Sequence, residues 1–120
     1  MNQKILFVDD EENVLKSLKR DMSMADIDAE YLTSAAEALD YLGQHQIDIV
    51  VTDLKMPGMN GVAFLKQVQN SYPDIYRVML SDFSSENTES KQAFQDRTIE
   101  QWFSKSLDVD ELLTYFGKFK

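Results

Sequence analysis

Residues 47 to 53 read "IDIVVTD". β-branched residues dominate the run, and an aspartate closes it. Such side chains are stiff at χ1 and pack well on a pleated surface. Nearly continuous apolarity over this length predicts a strand, at 47–52, covered on both faces, which is a strand inside a parallel sheet. Further short apolar runs stand on either side of it, at 4–8, 29–32, 76–80 and 100–103. The segments between them are long enough for crossover helices and carry readable start signals. Ser34-Ala-Ala-Glu37 is a capping box, in which hydroxyl and carboxylate satisfy open backbone N–H groups reciprocally. Asp108-Val-Asp-Glu111 offers a similar arrangement ahead of Leu112 and Leu113.

Helical periodicity puts Val14, Leu15 and Leu18 on one face of the first helix, and Ala35, Leu39 and Leu42 on one face of the second. Gly61 opens a third helix with Val62, Leu65 and Val68 inward, and Tyr72-Pro73 ends it. The fourth helical stretch, "SSENTESKQAFQDRT", is very polar and offers few core residues. Alternating strands and helices imply an α/β domain with helices on both faces of a parallel sheet. Right-handed crossovers then favour a flavodoxin-like, doubly wound (βα)5 fold with a five-stranded sheet in the order 2-1-3-4-5. No repeat, low-complexity segment or linker interrupts residues 1–120, so a single domain is expected.

Composition narrows the function. Twelve Lys+Arg against 21 Asp+Glu give a net charge of −9, which argues against direct nucleic-acid binding. The chain has no cysteine, so disulfides and thiolate metal sites are excluded. No apolar run approaches the ~20 residues of a membrane helix. The apolar stretch after Lys4 is too short for a signal peptide. A soluble cytoplasmic protein is the expectation.

In open α/β sheets, sites form beyond the carboxyl ends of the strands. Strand one delivers Asp9 and Asp10, strand three Asp53, strand four Ser81, and strand five leads to Lys105. In the proposed order these strands are neighbours, so three carboxylates, a hydroxyl and an ammonium converge on one cleft. Asp9-Asp10 read alone would also suit a helix N-terminus. Clustered carboxylates call for a cation or for protons, and Mg²⁺ with its oxygen ligands and retained waters is the natural solution. A carboxylate in such a site can act as a nucleophile towards phosphorus. Lys105 would supply a point charge for the phosphoryl group, and Ser81 a donor.

The stretches "FVDDEEN", "VVTDLKMPGMNG", "VMLSDF" and "WFSKSLDVDEL", in that order, resemble the receiver domain of bacterial two-component response regulators over essentially the whole chain. The resemblance implies a domain that takes a phosphoryl group from a sensor histidine kinase, or a phosphotransfer protein, onto Asp53. It implies Mg²⁺ bound by Asp10, Asp53 and the backbone carbonyl of Lys55, with Asp9 acting through a metal-bound water. Ser81 would bond the phosphoryl oxygen, Lys105 would pair with it, and Trp102 occupies the position of an aromatic switch residue. Met56-Pro57-Gly58 and Gly61 match the loop after the phosphorylated aspartate, where Pro-Gly pre-forms a turn. The implied readout is a homodimer through the helix 4–strand 5–helix 5 face, or an output domain or downstream protein. On that reading the domain is no enzyme beyond its own phosphotransfer and autodephosphorylation.

Two residues depart from the family pattern. Asp82 stands where a small residue usually follows the hydroxyl, adding bulk and negative charge beside an incoming dianion. Ser106 stands where proline usually follows the lysine. Cis before a non-proline residue costs about 2.5–4 kcal/mol, so a trans Lys105–Ser106 bond is expected. Phe83 and Lys55 are expected to flank the path of attacking water. Rival readings are a receiver-like interaction module that is never phosphorylated, a free-standing Mg²⁺ phosphohydrolase using Asp53, and a flavin carrier. The last wants backbone N–H groups and hydroxyls where this chain places acids. His45, Glu11 and Glu12 are read as a surface residue and first-turn helix acids.

Overall fold

The structure is a computed structural model that describes residues 3–81, 88–104 and 109–117. The elements run β1 (Ile5–Val8), α1 (Glu12–Met24), β2 (Ala29–Leu32), α2 (Ala35–Leu42), β3 (Ile49–Thr52), α3 (Gly61–Ser71), β4 (Tyr76–Leu80), α4 (Thr88–Gln95), β5 (Gln101–Phe103) and α5 (Val109–Gly117). All strand pairings are parallel and the sheet order is β2-β1-β3-β4-β5, the flavodoxin-like arrangement expected.

Alternation along the strands splits the core into two layers. Leu6, Val8, Val50 and Met79 face α2, α3 and α4, where Ala35, Ala38, Leu42, Val62, Leu65, Val68 and Ala93 close the packing. Ile5, Phe7, Ile49, Val51, Val78 and Leu80 face α1 and α5, against Leu15, Met22, Leu112 and Phe116. On this second side Phe7 stacks on Tyr31 at 5.5 Å, and Phe103 meets Tyr115 edge-on at 5.3 Å.

Several sequence expectations needed correction. β1, β3 and β5 begin later than the runs at 4–8, 47–52 and 100–103 suggest. Lys4 is spent on the turn instead: its N–H donates to Asp48 Oδ2 at 2.9 Å, and its carbonyl accepts from both Asp48 and Ile49. Ile47 still enters the core from that turn. The capping box of α2 also differs in its return half. Glu37 N–H donates to Ser34 Oγ at 3.1 Å, but the Glu37 carboxylate accepts the hydroxyls of Ser34 and Thr33 at 3.2 Å each. At its carboxyl end α4 stops at Gln95, short of the end of the polar stretch at residue 98, and the φ of 64° at Arg97 is incompatible with continuing the helix. The Asp108 cap proposed for α5 lies outside the described residues.

Burial, with the nearby Glu30 and Asp28 charges, pushes the Tyr31 phenol up to about 12 from 10.0. Burial and the neighbouring Tyr76 raise Tyr115 as well. The folded chain therefore holds these protons to higher pH than the unfolded chain does. The contribution of Tyr31 is complete below about pH 10 and is lost as pH climbs towards 12. Urea unfolding midpoints are expected to fall across that window, and Tyr31→Phe to flatten the fall; an equal fall in Tyr31→Phe would contradict this assignment.

Candidate functional site

Asp53 directly follows β3, and its N–H donates to the Val8 carbonyl of β1 at 2.9 Å. That bond continues the ladder one step past the Val8–Thr52 pair, so the chain beyond β1 and the chain beyond β3 leave the sheet side by side. Asp9 and Asp53 are buried, at 3% and 5% exposure, while Asp10 is exposed. One carboxylate oxygen from each of Asp9, Asp10 and Asp53 lies within 4.8 Å of the other two. The cluster anticipated from the strand ends is thus assembled.

Backbone amides fix the buried acids. Asp9 Oδ1 accepts from Glu11 N–H at 2.9 Å, and Asp53 Oδ1 accepts from Leu54 N–H at 2.8 Å. Glu12 lies in the first turn of α1 as expected, whereas Glu11, also expected there, is the extended residue that precedes the helix, so the acids also meet its positive end. Thr52, fully buried, donates its hydroxyl to the Asp53 carbonyl at 3.0 Å.

The loop after Asp53 is held from behind by α3. Gly61 N–H donates to the Leu54 carbonyl at 2.7 Å, and Asn60 caps the helix by accepting from Ala63 N–H at 2.9 Å. A Cβ on Gly61 would collide with the Asp53 carbonyl oxygen, so glycine here is required by close approach. Gly58 takes a left-handed φ of 84°, as the expected Pro57-Gly58 turn demands. Lys55 is exposed between these anchors.

At the end of β4, Ser81 is buried and its N–H donates to the Phe103 carbonyl at 3.0 Å. Its own carbonyl accepts the indole N–H of Trp102 at 3.3 Å. Trp102 is half-buried, beside Met79 in the register and against the α2–α3–α4 layer. Lys105, Ser106, Asp82 and Phe83, and with them the Lys105–Ser106 bond, lie outside the described residues. His45 is exposed and stacks on Tyr41 at 3.9 Å, away from the acids in a surface loop.

The sequence reading missed Arg77. It is 5% exposed in β4 and bonded to the chain entering β5. A charge second in the run "YRVML" was the available signal.

A doubly wound parallel sheet with an acidic cluster at the ends of β1 and β3 defines a receiver-type domain. The profile of the response regulator receiver domain matches residues 5–116, and the chain belongs to that family. The transcriptional regulator NtrC of Escherichia coli K12 is 29% identical over 104 residues, which are 87% of this chain and 22% of that protein. The chain therefore spans about a fifth of this curated relative. The receiver domain of an HD-domain-containing protein from Pseudomonas fluorescens Pf-5 superposes with a TM-score of 0.89 at 26% identity, covering 98% of this chain and 85% of that one. The chemotaxis response regulator CheY4 of Vibrio cholerae gives 0.86 at 25%, covering 98% of each. Among the described residues no helix is long and apolar enough to cross a membrane.

Gly61→Ala is expected to cost about 1–3 kcal/mol through overpacking against the Asp53 carbonyl. Ala63→Gly, exposed on the same helix, should cost no more than its helix propensity of about 1 kcal/mol. Urea unfolding of both variants checks the contrast.

Proposed function

We propose that this domain accepts a phosphoryl group on Asp53 from the phosphohistidine of a sensor kinase or phosphotransfer protein. The observation that carries the reading is the cluster of Asp9, Asp10 and Asp53 oxygens within 4.8 Å of one another. Three carboxylates so close form a donor set suited to a hard divalent cation. Asp10, Asp53 and the Lys55 carbonyl would hold Mg²⁺, with Asp9 reaching it through a water. Bound there, the ion would supply positive charge against the developing charge on the phosphoryl oxygens.

The chain's own residues do the rest. An Asp53 carboxylate oxygen forms the new bond to phosphorus as the phosphorus–nitrogen bond to the donor imidazole breaks, and the imidazole leaves with that electron pair. The amide of Leu54 orients the carboxylate for this attack. Lys105 pairs with the phosphoryl group, and the Ser81 hydroxyl donates to one of its oxygens. Phosphorylation adds about −1.5 to −2 charge, which draws Ser81 inward. Trp102, bonded to the Ser81 carbonyl, follows. The surface of α4, β5 and α5 then carries the signal to an output domain, a downstream protein or a second copy. The chain acts in this reading as one cytoplasmic receiver unit over residues 1–120. It catalyses nothing beyond gaining and losing its own phosphoryl group.

Asp82 and Ser106 favour one rival, a receiver-like interaction module that is not phosphorylated in service. Intact mass after incubation with acetyl phosphate separates the two. A single phosphoryl gain is expected with Mg²⁺ and none without it, and none in Asp53→Asn. Asp10→Asn should need at least the ~10-fold more Mg²⁺ that loss of a supporting partner costs at metal sites. No gain in the parent would favour the interaction module. Asp82→Ala is expected to gain and lose the group faster than the parent, and matching rates would clear Asp82 of any tuning role.

A further inference from the structure

Arg77 stands near the start of β4, at the end of the sheet away from the acids, and is 5% exposed. A guanidinium removed from water needs partners for its donors. Nε donates to the Thr98 carbonyl at 3.0 Å, Nη2 to the Arg97 carbonyl at 3.0 Å, and Nη1 to the Ile75 and Pro73 carbonyls at 2.9 and 3.5 Å. Nη2 lies 3.4 Å from the Glu100 carboxylate. Glu100 closes the arrangement by accepting the Arg77 N–H at 3.0 Å and donating its own N–H to the Arg77 carbonyl at 2.9 Å. Beside it, the buried Thr98 donates its hydroxyl to Gln69 of α3 at 2.9 Å.

These bonds bind the exit of α4 and the entry to β5. β4 and β5 are parallel, so α4 must run back from the site to the far end of the sheet. Of residues 91–95 in α4, only Ala93 is buried, so that stretch is packed weakly along its length. β5 pairs with β4 through three residue pairs, and at the site end Ser81 N–H donates to the Phe103 carbonyl at 3.0 Å while its carbonyl accepts from the Trp102 indole at 3.3 Å. At the Arg77 end a single buried side chain adds four hydrogen bonds and an ion pair to the backbone ladder.

We infer that Arg77 is the fulcrum of the switch: it holds residues 97–100 still, so that displacement at Ser81 turns Trp102 and α4 instead of sliding β5. This rests on the reading of Asp53 as phosphoacceptor. Arg77 is a positioning residue that never meets the phosphoryl group. Lysine would keep the charge but not the planar fork that reaches several carbonyls at once.

The test uses the whole 120-residue chain and its Arg77→Lys, Arg77→Met and Glu100→Gln variants, well below their unfolding temperatures. Intact mass reports phosphorylation by acetyl phosphate, and the fluorescence of the lone Trp102 reports the switch. All variants are expected to gain the phosphoryl group like the parent. The fluorescence change on phosphorylation should fall at least ~2-fold in Arg77→Met and partly in the other two, the scale on which coupling residues act. A full fluorescence change in Arg77→Met, with only a lowered melting temperature, would show a purely structural role. If that variant does not fold, Arg77→Lys and Glu100→Gln decide by the same criterion. A parent that gains the group without moving Trp102 overturns the fulcrum and leaves the acceptor site standing. A parent that gains no phosphoryl group removes the acceptor reading and the fulcrum with it.

Discussion

The bond from the Asp53 amide to the Val8 carbonyl, at 2.9 Å, sets the geometry on which the acidic cluster depends. It is the last rung between β1 and the central strand β3, and it fixes Asp9 beside Asp53 where the chain leaves the sheet. Because side chains alternate along a strand, a slip of one residue would turn Val8 and Val50 to the wrong layer and carry the acids apart. The core therefore enforces the site: the same register buries Leu6 and Val50 on one side and Phe7 and Val51 on the other. Bringing carboxylates together is unfavourable in itself. Here the cost is met by hydrophobic burial elsewhere in the same ladder.

The arrangement behind Asp53 follows the same logic. α3 can approach the aspartate only because its first residue is glycine, and the approach is what holds the Leu54 carbonyl at 2.7 Å from Gly61 N. Helix, loop and strand thus constrain one another at a single place. The buried hydroxyl of Thr52 fits this account, since it satisfies a carbonyl that the tight packing removes from water.

Most of this was legible because buried parallel strands announce themselves. β2 and β4 fall on the residues expected from their apolar runs, and of the expected helix faces Leu15, Ala35, Leu42, Val62, Leu65 and Val68 are buried while Val14, Leu18 and Leu39 are half-buried. The acids could be placed because topology puts strand ends together whatever the loops do. What escaped was chemistry set by tertiary contact. Ala38 and Phe64 complete helix faces that periodicity only outlined, and Ile47 is buried from a turn. Arg77 carries a charge inside a strand, and beside its local partners at residues 73 and 75 it bonds residues 97, 98 and 100, which become neighbours only after α4 has returned along the sheet. No local rule assigns five partners so spread along the chain to one side chain. The return half of the α2 cap was misjudged for a related reason, since Thr33 offers a hydroxyl that the capping pattern does not include.

The shortness of β5 has one more consequence. The borders of the sheet are β2, of four residues, and β5, of three. An outer strand presents unpaired backbone groups that a foreign chain can extend into fibrillar stacking. With so few residues at β5, and with Glu30 exposed on β2, neither border offers a long apolar template. A foreign strand finds few backbone groups to pair with at either border, and a charge stands beside those of β2. Brevity at the border thereby favours staying dispersed at high concentration.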